Sequence, residues 1–307
     1  MRRMPTALQK PVSPAALTCA TLYDSALYDR TLDRLACPTT PETVETIVAN
    51  YRENGVAVAR TAIRPAAARL MRHFASDYQA EMELRIVRGD RHISIDHYKQ
   101  QTALIWEARV HERYFLTQAL EDILASPLWL AMLEIADGGP IAIPLSHMVL
   151  RGSVDALDAS LGAHQDAVDV NPDVPYNLWI ALEAMAPKRI SSLGFLAEPI
   201  GTVYSKADAV ARSQSLAHRM WLPSYEPGDV ALFNNTTLHQ TTSYGTGTQR
   251  WSVELRYMRA DRIPTGMAGE AFIVVSEEAG KRSIQLANLP VQLDRYIRTN
   301  GFAIPPF

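Results

Sequence analysis

Leu161-Gly162-Ala163-His164-Gln165-Asp166-Ala167 is the stretch on which the reading of this chain turns. If the segment is extended, His164 and Asp166 point to the same side, because side chains alternate faces along a strand. A neutral imidazole and an ionised carboxylate on one side form two corners of an open metal site. A third corner is expected from elsewhere, and His239, in Leu238-His239-Gln240-Thr241-Thr242, is the candidate. Two histidines and one carboxylate leave coordination positions open, the ligand set that suits non-haem Fe(II) and O2. A histidine two residues before an aspartate arises easily by chance, so the weight of this reading rests on its surroundings.

Those surroundings begin with composition. A chain of 307 residues, 47% hydrophobic and 21% charged, is long enough to bury one substantial core and reads as an ordinary globular protein. A formal charge of −3 gives no reason to expect nucleic acid or an anionic membrane as partner. The basic residues are 25 arginines against five lysines, so one well-placed arginine is weaker evidence here than usual. Cys19 and Cys37 fit no zinc spacing and match a reducing compartment better than a disulfide scaffold. The N-terminus has positive charge but no apolar run behind it, and no stretch approaches the ~18–20 apolar residues of a membrane span. The expectation is a soluble, cytoplasmic protein with a small-molecule substrate; no feature of the sequence fixes an oligomeric state.

Along the chain, residues 1–40 show no period and read as an arm packed on the body. Thr40-Pro41-Glu42-Thr43 starts a helix that Asn54-Gly55 ends. Gly55–Ala59 is a short strand, and a second helix runs from about Pro65 to Met82 with Ala68, Leu70, Met71, Phe74 and Tyr78 towards the core. Residues 85–112 have no regular period and could cover a substrate site. Two helices, near Tyr114–Leu124 and Pro127–Ala136, precede a change of texture to short strands between turn signals, the pattern of a sandwich or barrel. Strands are expected near Ile141–Leu150, Asn177–Glu183, Leu193–Ala197, Val230–Phe233, Thr237–Thr242 and Gln249–Met258, with a helical insertion near Lys206–Ala217. Glu226-Pro227-Gly228-Asp229 is a tight turn, and Leu289–Arg298 a closing helix. The chain thus reads as mainly β with flanking α. Its main unit is 41–307, comprising a helical part 41–140, a β core 141–260 and an extension 261–307.

Eleven residues beyond His239, Arg250 and Ser252 share a strand face, and Trp251, Val253 and Leu255 mark that strand as a core one. A guanidinium offers a permanent, two-pronged partner for a carboxylate, and a hydroxyl two residues on can add a hydrogen bond. In order, His164-Gln165-Asp166, Asn177-Leu178-Trp179-Ile180-Ala181-Leu182, Pro227-Gly228-Asp229, His239 and Arg250-x-Ser252 resemble the phytanoyl-CoA dioxygenase-like Fe(II)/2-oxoglutarate oxygenases. Gly55-Val56-Ala57-Val58 also resembles the opening strand of such proteins. The resemblance spans about 141–260 and implies a double-stranded β-helix (jelly-roll) core with N-terminal helices outside it. It implies Fe(II) on His164, Asp166 and His239, which would be the catalytic centre. It also implies 2-oxoglutarate held by Arg250 and Ser252, O2 as co-substrate, and succinate and CO2 as co-products.

The implied activity is oxidation of a small metabolite, hydroxylation first among the outcomes, in a setting such as natural-product biosynthesis. Asp166 itself disfavours halogenation, since related halogenases carry a small residue there. One departure is Leu196-Ala197-Glu198-Pro199-Ile200-Gly201-Thr202, where family members often have Pro-Gly-Ser-His; it weakens substrate-side analogy. His97, Tyr98 and Arg151 are the candidate substrate residues. Two other readings stay open: a jelly-roll metalloenzyme without 2-oxoglutarate (a cupin-like isomerase or oxygenase), which has no need of Arg250, and a non-catalytic jelly-roll module. The latter would be expected to fill every coordination position with protein groups.

Overall fold

In the strand Tyr176–Ala181, Leu178 and Ile180 pack into one apolar cluster while Trp179 and Ala181 pack into another. The period of two along an extended chain gives this strand two buried faces, so it must lie in a central layer. The computed structural model describes residues 30–89, 103–104, 114–144, 147, 149–154, 163–169, 173–187, 189–190, 192–242, 244, 246–278 and 281–288.

The described strands are β1 Ala36–Pro38, β2 Val56–Arg60, β3 Ala103–Leu104, β4 Ile141–Pro144, β5 Val149–Val154, β6 Tyr176–Ala181 and β7 Leu193–Leu196. They continue with β8 Met220–Trp221, β9 Val230–Asn234, β10 His239–Thr241, β11 Gln249–Arg259, β12 Phe272–Glu278 and β13 Lys281–Ala287. A ten-stranded sheet runs β1-β2-β9-β6-β11-β4-β12-β13, with β5 also on β11 and β3 on β5; a three-stranded sheet runs β10-β7-β8. Apart from the parallel β1–β2 pair, the ladders are antiparallel.

The larger sheet turns one face to the helices α1 Val44–Asn54, α2 Pro65–Val87, α3 Tyr114–Ala125 and α4 Leu128–Ile135. Ile47, Met71, Ile123 and Met132 from the helices meet Ile180, Leu232, Val253 and Leu255 from the strands there. Each such fully buried aliphatic side chain contributes roughly 1.5–3 kcal/mol. The other face meets the smaller sheet through Trp179, Ala231 and Phe233 against Phe195 and Trp221. Two antiparallel layers closing on an aromatic interior, with helices outside one layer, make a double-stranded β-helix.

Two glycines fix how the helices join this roll. Gly55 ends α1 in the left-handed region (φ 72°), donating its N–H to Tyr51 O. Its carbonyl accepts from Thr237 Oγ1 at 2.7 Å, which ties the helix end to the segment before β10. Gly228 (φ 96°) occupies the expected tight turn, where Asp229 N–H returns to Glu226 O at 3.0 Å. A Cβ on Gly228 would lie 2.1 Å from Ile63 O. Asp229 then accepts from Thr61 N and the Arg60 guanidinium, so this turn locks β2 to β9.

Several expectations need correction. The single strand expected at 141–150 is described as two, β4 ending at Pro144, which has no N–H to donate to a ladder, and β5 starting at Val149. The second helix runs on to Val87, and Leu70 is 40% exposed on it rather than turned to the core. The stretch at 261–307 contributes a hairpin, β12–β13, that extends the larger sheet through β4. Residues 30–38 form a 3-10 turn and β1 instead of an irregular arm. The closing helix at 289–298 lies outside the described residues. No described helix is long and apolar enough to cross a membrane.

Candidate metal centre

His239 opens β10, opposite Phe195 of β7. His164 pairs with it across an isolated antiparallel bridge, each backbone N–H donating to the other's carbonyl at 3.0 Å. The bridge brings the rings together, tilted by 49° with centroids 4.3 Å apart. Asp166 is not on the same extended run, as alternation had implied: it is the first residue of a one-turn helix, α5 Asp166–Asp169. The cause is Gln165, which is buried. Its amide donates to Thr202 O at 2.7 Å and Thr236 O at 2.5 Å and accepts from Tyr204 N at 2.6 Å. With Gln165 tied to two neighbouring loops, the chain turns, and Ala167 N–H bonds Asn235 O. The turn brings Asp166 Oδ1 to 3.7 Å from His164 Nε2 and 3.9 Å from His239 Nε2.

One ligand atom from each of the three lies within 4.8 Å of the others. A first-row ion with bonds of about 2.0–2.2 Å sets adjacent ligands roughly 3 Å apart, so small side-chain movements suffice to close on it. His239 is held neutral: burial, then the neighbouring His164, pull its pKa down to about 4. Its Nδ1 lies 3.0 Å from Thr237 O, which accepts a hydrogen bond from Nδ1–H and leaves the Nε2 lone pair facing the other two groups. Thr237 is the residue that the Gly55 turn holds. Among the described residues no other histidine, cysteine or carboxylate joins this cluster, so the protein supplies three corners. The donor set therefore fits a divalent ion with open positions.

From the triad a polar file runs along the inward face of β11: Arg256, Glu254, Ser252 and Arg250, at the period of two. The Arg256 guanidinium donates to Asp166 Oδ2 at 3.0 Å and to Asn177 Oδ1 at 2.9 Å. Burial alone would raise Glu254, but Arg151 and Arg256 outweigh it and hold its pKa down to about 2. Arg151 Nε reaches Glu254 Oε1 at 2.9 Å from β5. Arg250 is fully buried; burial and the nearby Arg151 lower its pKa to about 10. Its Nη1 is 3.4 Å from Ser252 Oγ, and its guanidinium carbon lies 5.5 Å from the Trp179 ring. Along this file Arg250 and Arg256 flank Glu254; Arg151 reaches Glu254 from β5, and Glu183 also acts on Arg250.

His164, Asp166 and His239 thus come together, and Arg250 and Ser252 sit side by side. Arg151, expected to meet substrate, is bonded to Glu254 and is 20% exposed at its side chain. His97 and Tyr98 lie outside the described residues. Sequence reasoning missed Arg256, Glu254 and Asn177. The signal was present, since Arg250-x-Ser252-x-Glu254-x-Arg256 puts four polar side chains on one face of a core strand.

No protein-family model and no curated protein sequence matches the chain. Among solved structures, AviO1 from Streptomyces viridochromogenes Tue57 is similar with a TM-score of 0.50 at 17% identity, over 72% of this chain and 96% of that one. EvdMO1 is similar with a TM-score of 0.50 at 13% identity, over 71% of this chain and 50% of that one. The non-haem α-ketoglutarate-dependent epimerase SnoN from nogalamycin biosynthesis gives a TM-score of 0.48 at 14% identity, over 79% and 86%. At such identities the likeness to AviO1 and EvdMO1 is one of fold alone.

Proposed function

We propose that the protein is an Fe(II)- and 2-oxoglutarate-dependent oxygenase of the phytanoyl-CoA dioxygenase-like kind, acting as a cytoplasmic enzyme on a small metabolite. The observation that carries this reading is an open triad of two imidazoles and a carboxylate, with the fully buried Arg250 on the same face of β11 as Arg256, which bonds Asp166. His164, Asp166 and His239 would hold the metal, and Arg250 with Ser252 the far carboxylate of 2-oxoglutarate. When bound, these groups supply O2 activation coupled to decarboxylation of the keto acid to succinate and CO2.

The chain's own part is preparation. His239 presents an unprotonated Nε2 because its Nδ1–H is donated to Thr237 O. Arg250, walled by Trp179 and screened from water, attracts a carboxylate more strongly than an exposed arginine. Arg151, partly exposed beside Glu254, is the described residue from the expected substrate set able to meet a substrate. Hydroxylation is the outcome we assign. A cupin-like metalloenzyme without 2-oxoglutarate would have no need of Arg250 for a co-ligand.

The test is calorimetric titration of 2-oxoglutarate, under argon, into protein with and without Mn(II) as a redox-silent stand-in. Binding should require the metal and should fail in His239→Ala. Equal binding without metal would refute the reading.

A further inference from the structure

We infer that Arg256 is a positioning residue that assigns the two oxygens of Asp166 to different tasks, keeping Oδ1 for a divalent metal and withholding Oδ2. This rests on the metal reading above. Asp166 Oδ1 is the oxygen that faces both histidines, at 3.7 and 3.9 Å from their Nε2 atoms, whereas Oδ2 accepts from Arg256 Nη2 at 3.0 Å. A free carboxylate can bind an ion through both oxygens; one whose second oxygen holds a buried guanidinium binds through the first alone. Single-oxygen binding leaves one more coordination position for a bidentate co-ligand.

Arg256 is itself fixed from two other directions. Asn177 Oδ1, on the neighbouring strand β6, takes its Nε–H at 2.9 Å, and Asn177 and Arg256 stand opposite each other in the β6–β11 register. Glu254 Oε2 lies 3.8 Å from Nη2. Arg256 is only 6% exposed, Asn177 3% and Asp166 4%, so water does not compete for these bonds. A guanidinium serves here better than an ammonium, because its planar fork donates to Asn177 through Nε while Nη2 reaches Asp166. Glu254 in turn is shared with Arg151, so the orientation of the metal-facing carboxylate is braced by β5, β6 and β11 together.

The experiment is Co(II) titration of wild type, Arg256→Gln, Arg256→Lys and Asn177→Ala, all checked for folding by near-UV circular dichroism. Affinity and the visible ligand-field spectrum are read. Loss of an outer partner of a metal ligand typically weakens binding 10–100-fold. Arg256→Gln should fall in that range and show an altered Co(II) spectrum. Arg256→Lys should recover part of the affinity, because it restores a cation beside Oδ2. Asn177→Ala keeps the guanidinium but frees its Nε, and should weaken Co(II) about threefold to tenfold; it keeps the idea testable if Arg256→Gln does not fold. Wild-type affinity and an unchanged spectrum in the folded Arg256 and Asn177 variants would overturn the positioning role alone. Failure of wild type to take up Co(II) would overturn the metal reading and this inference with it.

Discussion

Replacing Arg250 with methionine should change stability and co-ligand binding in different ways. The side chain is fully buried, and burial, then the nearby Arg151, lower its pKa from the ordinary guanidinium range to about 10. At 1.36 kcal/mol per unit, holding the cation there costs the protein about 3 kcal/mol. The packing of the guanidinium near Trp179 returns ~0.5–2 kcal/mol, and the long hydrogen bond to Ser252 at most ~1 kcal/mol. Methionine keeps the volume and removes the charge, so the ligand-free variant should be as stable as the parent or up to about 2 kcal/mol more stable. Loss of a desolvated charge partner costs a bound carboxylate about 3–5 kcal/mol, so 2-oxoglutarate should bind more than a hundredfold more weakly. Urea unfolding with Mn(II), with and without 2-oxoglutarate, reads both effects. At a hundred times Kd the parent should gain about 2.7 kcal/mol and the variant almost nothing. A variant that is several kcal/mol less stable yet still stabilised by 2-oxoglutarate would refute the reasoning.

Three further outcomes follow from the same geometry. His239 is lowered to about 4 and Glu254 to about 2, so in both cases the unfolded chain binds protons first as pH falls. Metal-free protein should therefore lose stability from pH 6.5 down to 4 through His239 and from 4.5 down to 2 through Glu254, each by up to about 3 kcal/mol. Urea midpoints measured across pH 7.5–4 should show the first of these losses, and His239→Asn should flatten it. Gly228→Ala meets Ile63 O at 2.1 Å with φ at 96° and should destabilise by well over ~2 kcal/mol, read as a large drop in Tm. Gln165→Leu leaves Thr202 O, Thr236 O and Tyr204 N without their partner; about 2–4 kcal/mol should be lost, and Mn(II) affinity with it, by titration.

The strand texture after residue 140 was legible because short apolar runs such as Leu178–Leu182 and Val230–Phe233 stand between turn signals such as Asp137-Gly138-Gly139-Pro140 and Glu226-Pro227-Gly228-Asp229. The triad was legible as residue types, but its local geometry was not. What turns Asp166 towards the histidines is the set of hydrogen bonds made by Gln165 to residues 202–204 and 236, which no local pattern reveals. Pro144, Ser146 and His147 all interrupt the apolar run at 141–150, so one continuous strand was the less consistent reading. The β12–β13 hairpin was missed because Phe272–Glu278 mixes apolar and acidic residues, and its strand character depends on pairing with β4. Arg256 was overlooked because a charged residue in a core strand was read only at position 250. Extending the same two-residue period to Glu254 and Arg256 would have found the whole interior file.

The most direct measurement is the visible spectrum of anaerobic protein titrated with Fe(II), with 2-oxoglutarate, and with both. The weak charge-transfer band of an iron–keto-acid chelate should appear only when both are present. It should be absent in His164→Ala, Asp166→Ala and His239→Ala, and need far more 2-oxoglutarate in Arg250→Met. A parent protein that binds both yet gives no band, or triad variants that give the parent's band, would contradict the assignment of these residues.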